Sequence, residues 1–311
     1  MRPKSLLALI CFMSLCIILI PAVQARTWHV PGDCPDLPAA LQVAQSGDEI
    51  LIACGQYKIV GREHYIPSGV VIRGGAGIPG SCVMEEAGVC EGEWRDAPIF
   101  IVNGPGKPAR IEGITFRNFN LGCGEVPYVC NPIFFVNNSR IQFENCQWQN
   151  FYKKVFHFEG GGGSLIDCEF SEGAGCPSAI FFDGDELIID NCVFKDNEWI
   201  MECEGLHGSI LALDGGTTRI SNSMFCDNGP LIEMLQIGPD AVLRADGMCI
   251  TNCATIWEAM VEGHVYLDCC TIDPALWRVI GDGEIHDANG PGDKAMNVEL
   301  RSLSHVKAMF Q

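Results

Sequence analysis

Basic side chains are scarce in this chain: 20 Lys and Arg stand against 39 Asp and Glu among 311 residues, a formal net charge of −19. That deficit excludes proteins that neutralise DNA or RNA phosphates, whose affinity depends on clustered Lys and Arg. Charged residues of both signs reach only 19%, too few for long ion-paired helices, whereas 35 Gly call for many turns. Histidine is rare at 7, and no pair of CxxC motifs stands at finger spacing, which argues against a structural zinc fold. Hydrophobic residues make up 48%, enough to bury a core and to exclude general disorder. The length allows one elongated domain or two ordinary ones.

Long apolar runs are absent except at the start, where Arg2 and Lys4 precede a stretch from Leu6 to Ile20, followed by Pro21 and the Val23-Gln24-Ala25 ending that suits signal peptidase. Residues 1–25 are expected to be an export signal rather than an anchor, because the stretch is short and is followed by Pro instead of a basic stop-transfer cluster. Cys16 follows Leu15, where a lipoprotein signal requires a small residue. Removal of the signal leaves 18 basic and 39 acidic residues, a net charge of −21, in a protein expected to be secreted, periplasmic or on the cell surface. Sixteen of the 18 cysteines remain in that oxidising setting, where disulfides persist. Cys82 with Cys90, and Cys123 with Cys130, would each close a short loop.

Six-residue segments recur: Ile111 to Phe116, Phe143 to Trp148, Leu165 to Phe170, Ile189 to Phe194, Ile220 to Phe225 and, more weakly, Leu243 to Met248 and Leu267 to Ile272. Their last residues are separated by 32, 22, 24, 31, 23 and 24 positions. A step of 22–24 suits one coil of a parallel solenoid made of three short strands. The third template position is Gly113, Asn145, Asp167, Asn191 or Asn222, residue types that tolerate left-handed backbone angles, so a sharp bend is expected there. Stacking would place Ile111, Phe143, Leu165, Ile189 and Ile220 in one buried column and Phe116, Trp148, Phe170, Phe194 and Phe225 in another. Cys146, Cys168 and Cys192 fill the fourth position of three successive coils and read as core. An antiparallel sandwich would not demand the same residue type at the same point of each step. For the open end, Asp36 would cap a short helix with Pro38 in its first turn, an apolar face of Leu37, Ala40, Leu41 and Ala44, and an end at Gly47; Ile50 to Ala53 would be the first strand.

The segment from Leu37 to Tyr57, with its Gly-Asp step and closing Gly-x-Tyr, and the Asn-Cys-x-Phe coils together resemble the pectin-lyase-like superfamily. The resemblance covers residues 27–280. It implies an all-β right-handed parallel β-helix of three-strand coils with a short N-terminal capping helix, residues 26–280 forming the β-helix and 281–311 a terminal coil or C-terminal tail. The superfamily spans lyases, hydrolases, epimerases and adhesins, so the resemblance is far more specific for fold than for activity.

The lyases of this fold use acidic calcium ligands on the first strand of the coil, together with a basic residue. Those strands read as Ile133 to Val136, Val155 to Phe158, Ala179 to Phe182 and Ile210 to Leu213. Their outward residues would be Phe135, His157, Phe181 and Ala212, with no carboxylate trio. Asp183 and Asp214, each before Gly, read as turn residues. Leu206-His207-Gly208, Arg219-Ile220 and Asp183-Gly-Asp-Glu186 are only partial matches to hydrolase motifs. Asp287 to Asp293 places acids at loop positions one and seven, but Pro291 and Val298 spoil a calcium loop. No cofactor is expected, and calcium lacks a clear motif.

Extra residues at 119–131 and 197–208 follow the last strand of their coils, so both insertions should leave the same flank and, with residues 173–176, wall a lateral groove over Phe135, His157 and Phe181. Glu172, Glu202, Glu204 and His207 would supply hydrogen bonds beside those rings, an arrangement suited to a polysaccharide or cell-surface glycan. The expected role is glycan or surface binding, with a divergent lyase or hydrolase and a purely structural or adhesive protein as the alternatives.

Overall fold

A computed structural model describes residues 24–75, 77–87, 97–119, 131–152, 154–174, 178–198, 208–229 and 231–287. Residues 1–23 of the expected signal segment, Cys90, Cys123, Cys130, Glu202, Glu204, His207 and residues 288–311 lie outside them. Among the described residues no helix is long and apolar enough to cross a membrane.

The strands fall into a 15-stranded and an 8-stranded sheet, and successive coils pair in parallel, which excludes the sandwich. In the central coils the first and second strands run together with a bend inside them, as in Phe134–Glu144, Phe156–Ile166, Ser178–Asp190 and Ser209–Ser221. A three-residue third strand follows, as in Gln147–Gln149, Glu169–Ser171, Val193–Lys195 and Met224–Cys226. The bend within the long strands needs a backbone few residues tolerate. Gly161 has φ +68°, and a Cβ there would lie 1.9 Å from the Ser139 carbonyl oxygen of the coil below, so no other residue fits without moving the sheet.

The bend between second and third strands falls where the repeat predicts it, with φ +64° at Gly113, +54° at Asn145 and Asp167, +52° at Asn191 and +50° at Asn222. A second left-handed corner follows two residues after the aromatic column, at Asn118, Asn150, Glu172, Asp196, Asp227 and Asn252. Asn and Asp dominate both because a short polar side chain offsets part of the roughly 1–2 kcal/mol that a left-handed L-residue costs.

Between these corners the aromatic column forms as expected. Ring centroids lie 5.6 Å apart for Phe116 and Trp148 and 4.6 Å apart for Trp148–Phe170, Phe170–Phe194 and Phe194–Phe225, with interplanar angles of 12° or less. Cys146, Cys168 and Cys192 are buried free thiols that donate to backbone carbonyls, including those of Ile111, Phe143 and Leu165. Burial pushes the Cys146 thiol up to about 12, far from the reactive thiolate form. Cys82 is also fully buried and unpaired among the described residues. Beyond the second corner, Asn197 and Asn228 are buried and bonded to one another, each also donating to a carbonyl of the coil below, Phe170 and Phe194 respectively.

Three sequence expectations shift. The weak segment at Leu243 is out of register by two: Ala245 pairs with Ile220 and Ile250 with Phe225, so the repeat there is Ala245 to Ile250, with Gly247 at the bend. The small Ala245 disguised the column position, and the last two steps become 25 and 22 residues. The capping helix covers Leu37–Val43, with the Asp36 carboxylate accepting from the Ala39 amide at 2.8 Å, but it ends at Ala44, whose extended backbone leaves Gly47 to the following turn. Glu49–Ile52 is not the first strand, since Thr27–Val30 pairs ahead of it. At the far end Glu284–Asp287 pairs with His264–Asp268 as a strand of a terminal coil.

Candidate functional site

Alternation along the first strands turns every second side chain outward, and in-register pairing aligns those residues from coil to coil. Tyr65, Ile101, Phe135, His157, Phe181, Ala212 and Gln236 form one outward column. Two positions on, Asn103, Asn137, Glu159 and Asp183 form a second column beside it. Neighbouring coils stand about 4.8 Å apart, so aromatic and hydrogen-bonding groups run side by side along the solenoid.

The three groove residues expected from sequence come together. The His157 ring meets Phe135 edge-on at 5.4 Å and Phe181 at 4.8 Å. Lys154 joins them, its ammonium 3.2 Å from His157 Nδ1 and 4.8 Å from the centre of the Phe181 ring. Its only prior signal was a Lys just before an apolar strand, and it is 6% exposed. On the other side His157 Nε2 lies 3.1 Å from Glu159 Oε1. With Nδ1 accepting from the ammonium, the neutral ring carries its proton on Nε2, the nitrogen nearer Glu159. Glu172 instead occupies the second left-handed corner, exposed at φ +55°.

Burial, reinforced by the Lys154 charge, holds His157 down to about 4, so the ring is neutral at physiological pH. Since an unfolded imidazole titrates near 6.5, the unfolded chain binds the extra proton first. This contribution therefore erodes stability as pH falls from about 6.5 to about 4 and leaves it unaffected above. NMR titration of the His157 ring should show a midpoint well below 6, and Lys154→Met should raise it. An unperturbed midpoint would show that neither burial nor the ammonium acts on the ring.

Asp183 stands next to Glu159 in the second column, so the turn residue of the sequence reading also borders this face. Toward the cap, the same face opens into a cavity of about 630 Å³ between the capping helix and His64–Tyr65, lined in part by Gln42, Tyr65, Ser68 and Asn103. Tyr65 is 60% exposed there.

The sequence profile described as "Right handed beta helix region" matches residues 67–254, well over half of the chain. The chain belongs to that family. Solved structures similar to this right-handed β-helix include a pectin methylesterase mutant in complex with a hexasaccharide, at TM-score 0.56 and 14% identity, covering 83% of this chain and 93% of that one. Pectate lyase Pel9A aligns at TM-score 0.54 and 12% identity over 86% of this chain and 75% of its own. Pectin methylesterase PemA from Erwinia chrysanthemi aligns at TM-score 0.53 and 14% identity, covering 83% and 93%. At these identities the likeness is one of fold. No curated protein sequence matches the chain.

Proposed function

We propose that this right-handed β-helix protein is exported and binds a glycan along the outward face of its first strands. The observation that carries the reading is the pair of columns: Phe135, His157 and Phe181 offer apolar ring surface, while Asn137, Glu159 and Asp183 offer hydrogen-bonding groups at the same spacing. A sugar chain presents apolar ring faces and polar edges in the same alternation, and stacking on aromatic side chains with hydrogen bonds at the margin is how such ligands are held. The export reading rests on residues 1–25. Pectin-related neighbours make an acidic plant-type polysaccharide the first ligand to try.

Calorimetric titration of the chain beginning at residue 26 with a pectin-derived hexasaccharide is expected to show saturable binding, weakened about tenfold by Phe181→Ala, equivalent to ~1.4 kcal/mol of stacking. No binding, or binding indifferent to Phe181→Ala, would sink the proposal. The adjacent carboxylates Glu159 and Asp183 favour hydrolysis as a second reading, since glycosidases need two carboxyl groups across the scissile bond. Release of reducing ends from the same hexasaccharide, lost in Glu159→Gln and Asp183→Asn, would establish it.

A further inference from the structure

A separate face carries a second set of aligned side chains. On the second strands of the late coils, Arg219, Arg244, Tyr266 and His286 pair in register. The Arg244 guanidinium lies 4.4 Å from the centre of the Tyr266 ring, and Tyr266 stacks on His286 at 4.8 Å and 10°. Both faces of the Tyr266 ring are thereby occupied. Anything approaching from solvent meets the edges of this stack: guanidinium N–H groups, a phenol hydroxyl and an imidazole nitrogen. Beside it runs a parallel column of Ser221, Asp246 and Asp268, and the two columns line a cavity of about 540 Å³.

The ionic state of Arg244 sets it apart from the arginines of earlier coils. On the same face Arg73 pairs with Glu49 and Glu112, and Arg110 with Glu112 and Glu144. Arg219 is held by Glu186 at 2.9 Å. Arg244, in contrast, has no carboxylate within ion-pair distance among the described residues, in a chain with nearly twice as many acids as bases. Among the described residues its partner is the Tyr266 ring, over which the guanidinium lies. An ordered guanidinium at the edge of a cavity is a carboxylate receptor, able to make two parallel N–H···O bonds. The carboxylates of Asp246 and Asp268 across the cavity cannot bind an anion, but they accept hydrogen bonds from hydroxyl groups.

The geometry points to a binding site for a carboxylated sugar, with its carboxylate on Arg244 and its hydroxyls on Asp246 and Asp268. It lies on the second strands rather than the first, and it stands whether or not the groove over Phe135, His157 and Phe181 binds anything. Occupation is therefore measured in the Phe181→Ala background, so that the groove cannot supply the signal. An oligogalacturonate trimer should bind there saturably, with an affinity that falls as salt is raised. A neutral trimer of galactose should bind at least tenfold more weakly. Arg244→Gln, exposed and so without effect on the melting temperature, should lower affinity for the acidic trimer at least tenfold, while Arg140→Gln, on an earlier coil, should not. The assignment is overturned if the acidic trimer does not bind, if the neutral trimer binds equally well, or if Arg244→Gln leaves affinity unchanged. Retention of binding by a calcium-free sample is also required: dependence on added calcium would place the ligand on a metal at the exposed Asp246, Asp268 and Cys269 group instead.

Discussion

Phe170→Ala is expected to cost the fold roughly 3–5 kcal/mol, with a fall in melting temperature on the order of 10 °C. Phe170 is fully buried and lies flat between Trp148 and Phe194, 4.6 Å from each. Its removal deletes two stacking contacts, each worth about 0.5–1.5 kcal/mol beyond the buried area, and leaves a void that neighbours locked in register cannot fill. A solenoid coil touches only its neighbours, so the damage concentrates at two interfaces instead of being spread over the molecule. Phe194→Ala should cost a similar amount, and the double variant less than the sum, because the two share one contact. Equilibrium denaturation of the three variants measures this directly. A loss under about 1 kcal/mol for Phe170→Ala would mean that the column is not what holds the coils together.

Glu233→Gln should stabilise the protein at alkaline pH and leave it nearly unchanged at pH 4.5. Glu233 is completely buried and neither carboxylate oxygen has a hydrogen-bond partner among the described residues. Burial pushes its pKa up to about 7, against an opposing pull from the Arg278 charge. Ser178 and Ser209, fully buried and paired to one another in the preceding coils, also lack hydrogen-bond partners among the described residues, and for Glu233 the pull of Arg278 is outweighed by burial. Because the folded-state pKa lies above the unfolded value of 4.5, the native state holds its proton longer. Stability from this group is complete below about 4.5 and is lost as pH rises through about 7. Glutamine removes the titration, and the gain at pH 8 should be roughly 3 kcal/mol, the linkage value for a shift from 4.5 to about 7. Urea denaturation of both proteins at pH 4.5, 6 and 8 tests the sign. Parallel pH profiles would show that the buried charge is already compensated.

Most of the fold is legible in the sequence because stacking imposes one requirement per position. The column of Phe116, Trp148, Phe170, Phe194 and Phe225 can be read because each coil must fill the same space, and the bends at Asn145, Asp167, Asn191 and Asn222 because few residues accept their backbone angles. The same logic was available for the second corner, two residues beyond the aromatic column, but Glu172 interrupts its run of Asn and Asp there. The register slip at Ala245 has the opposite origin: where a column narrows to a small side chain, the neighbouring Leu243, also buried, imitates the pattern. The candidate site is less legible. Phe135, His157 and Phe181 follow from alternation once a strand is placed, whereas Lys154 reaches the histidine from outside the strand pattern, by a contact that no periodicity encodes. Glu159 could have been found, since it lies two residues past His157 on the same face. The stack of Arg244, Tyr266 and His286 was hidden by weak repeats in the late coils.

Strict superposition of lap upon lap also bears on how such a chain can change length. Excising a stretch equal to one turn of the winding, such as the 24 residues separating Phe170 from Phe194, rejoins equivalent points of the backbone and restores every inner contact with a new neighbour. Duplicating it does the reverse, lengthening both external arrays by one ring or one acid at unchanged pitch. The outward faces can thus be lengthened or shortened by whole modules, without redesign of the interior.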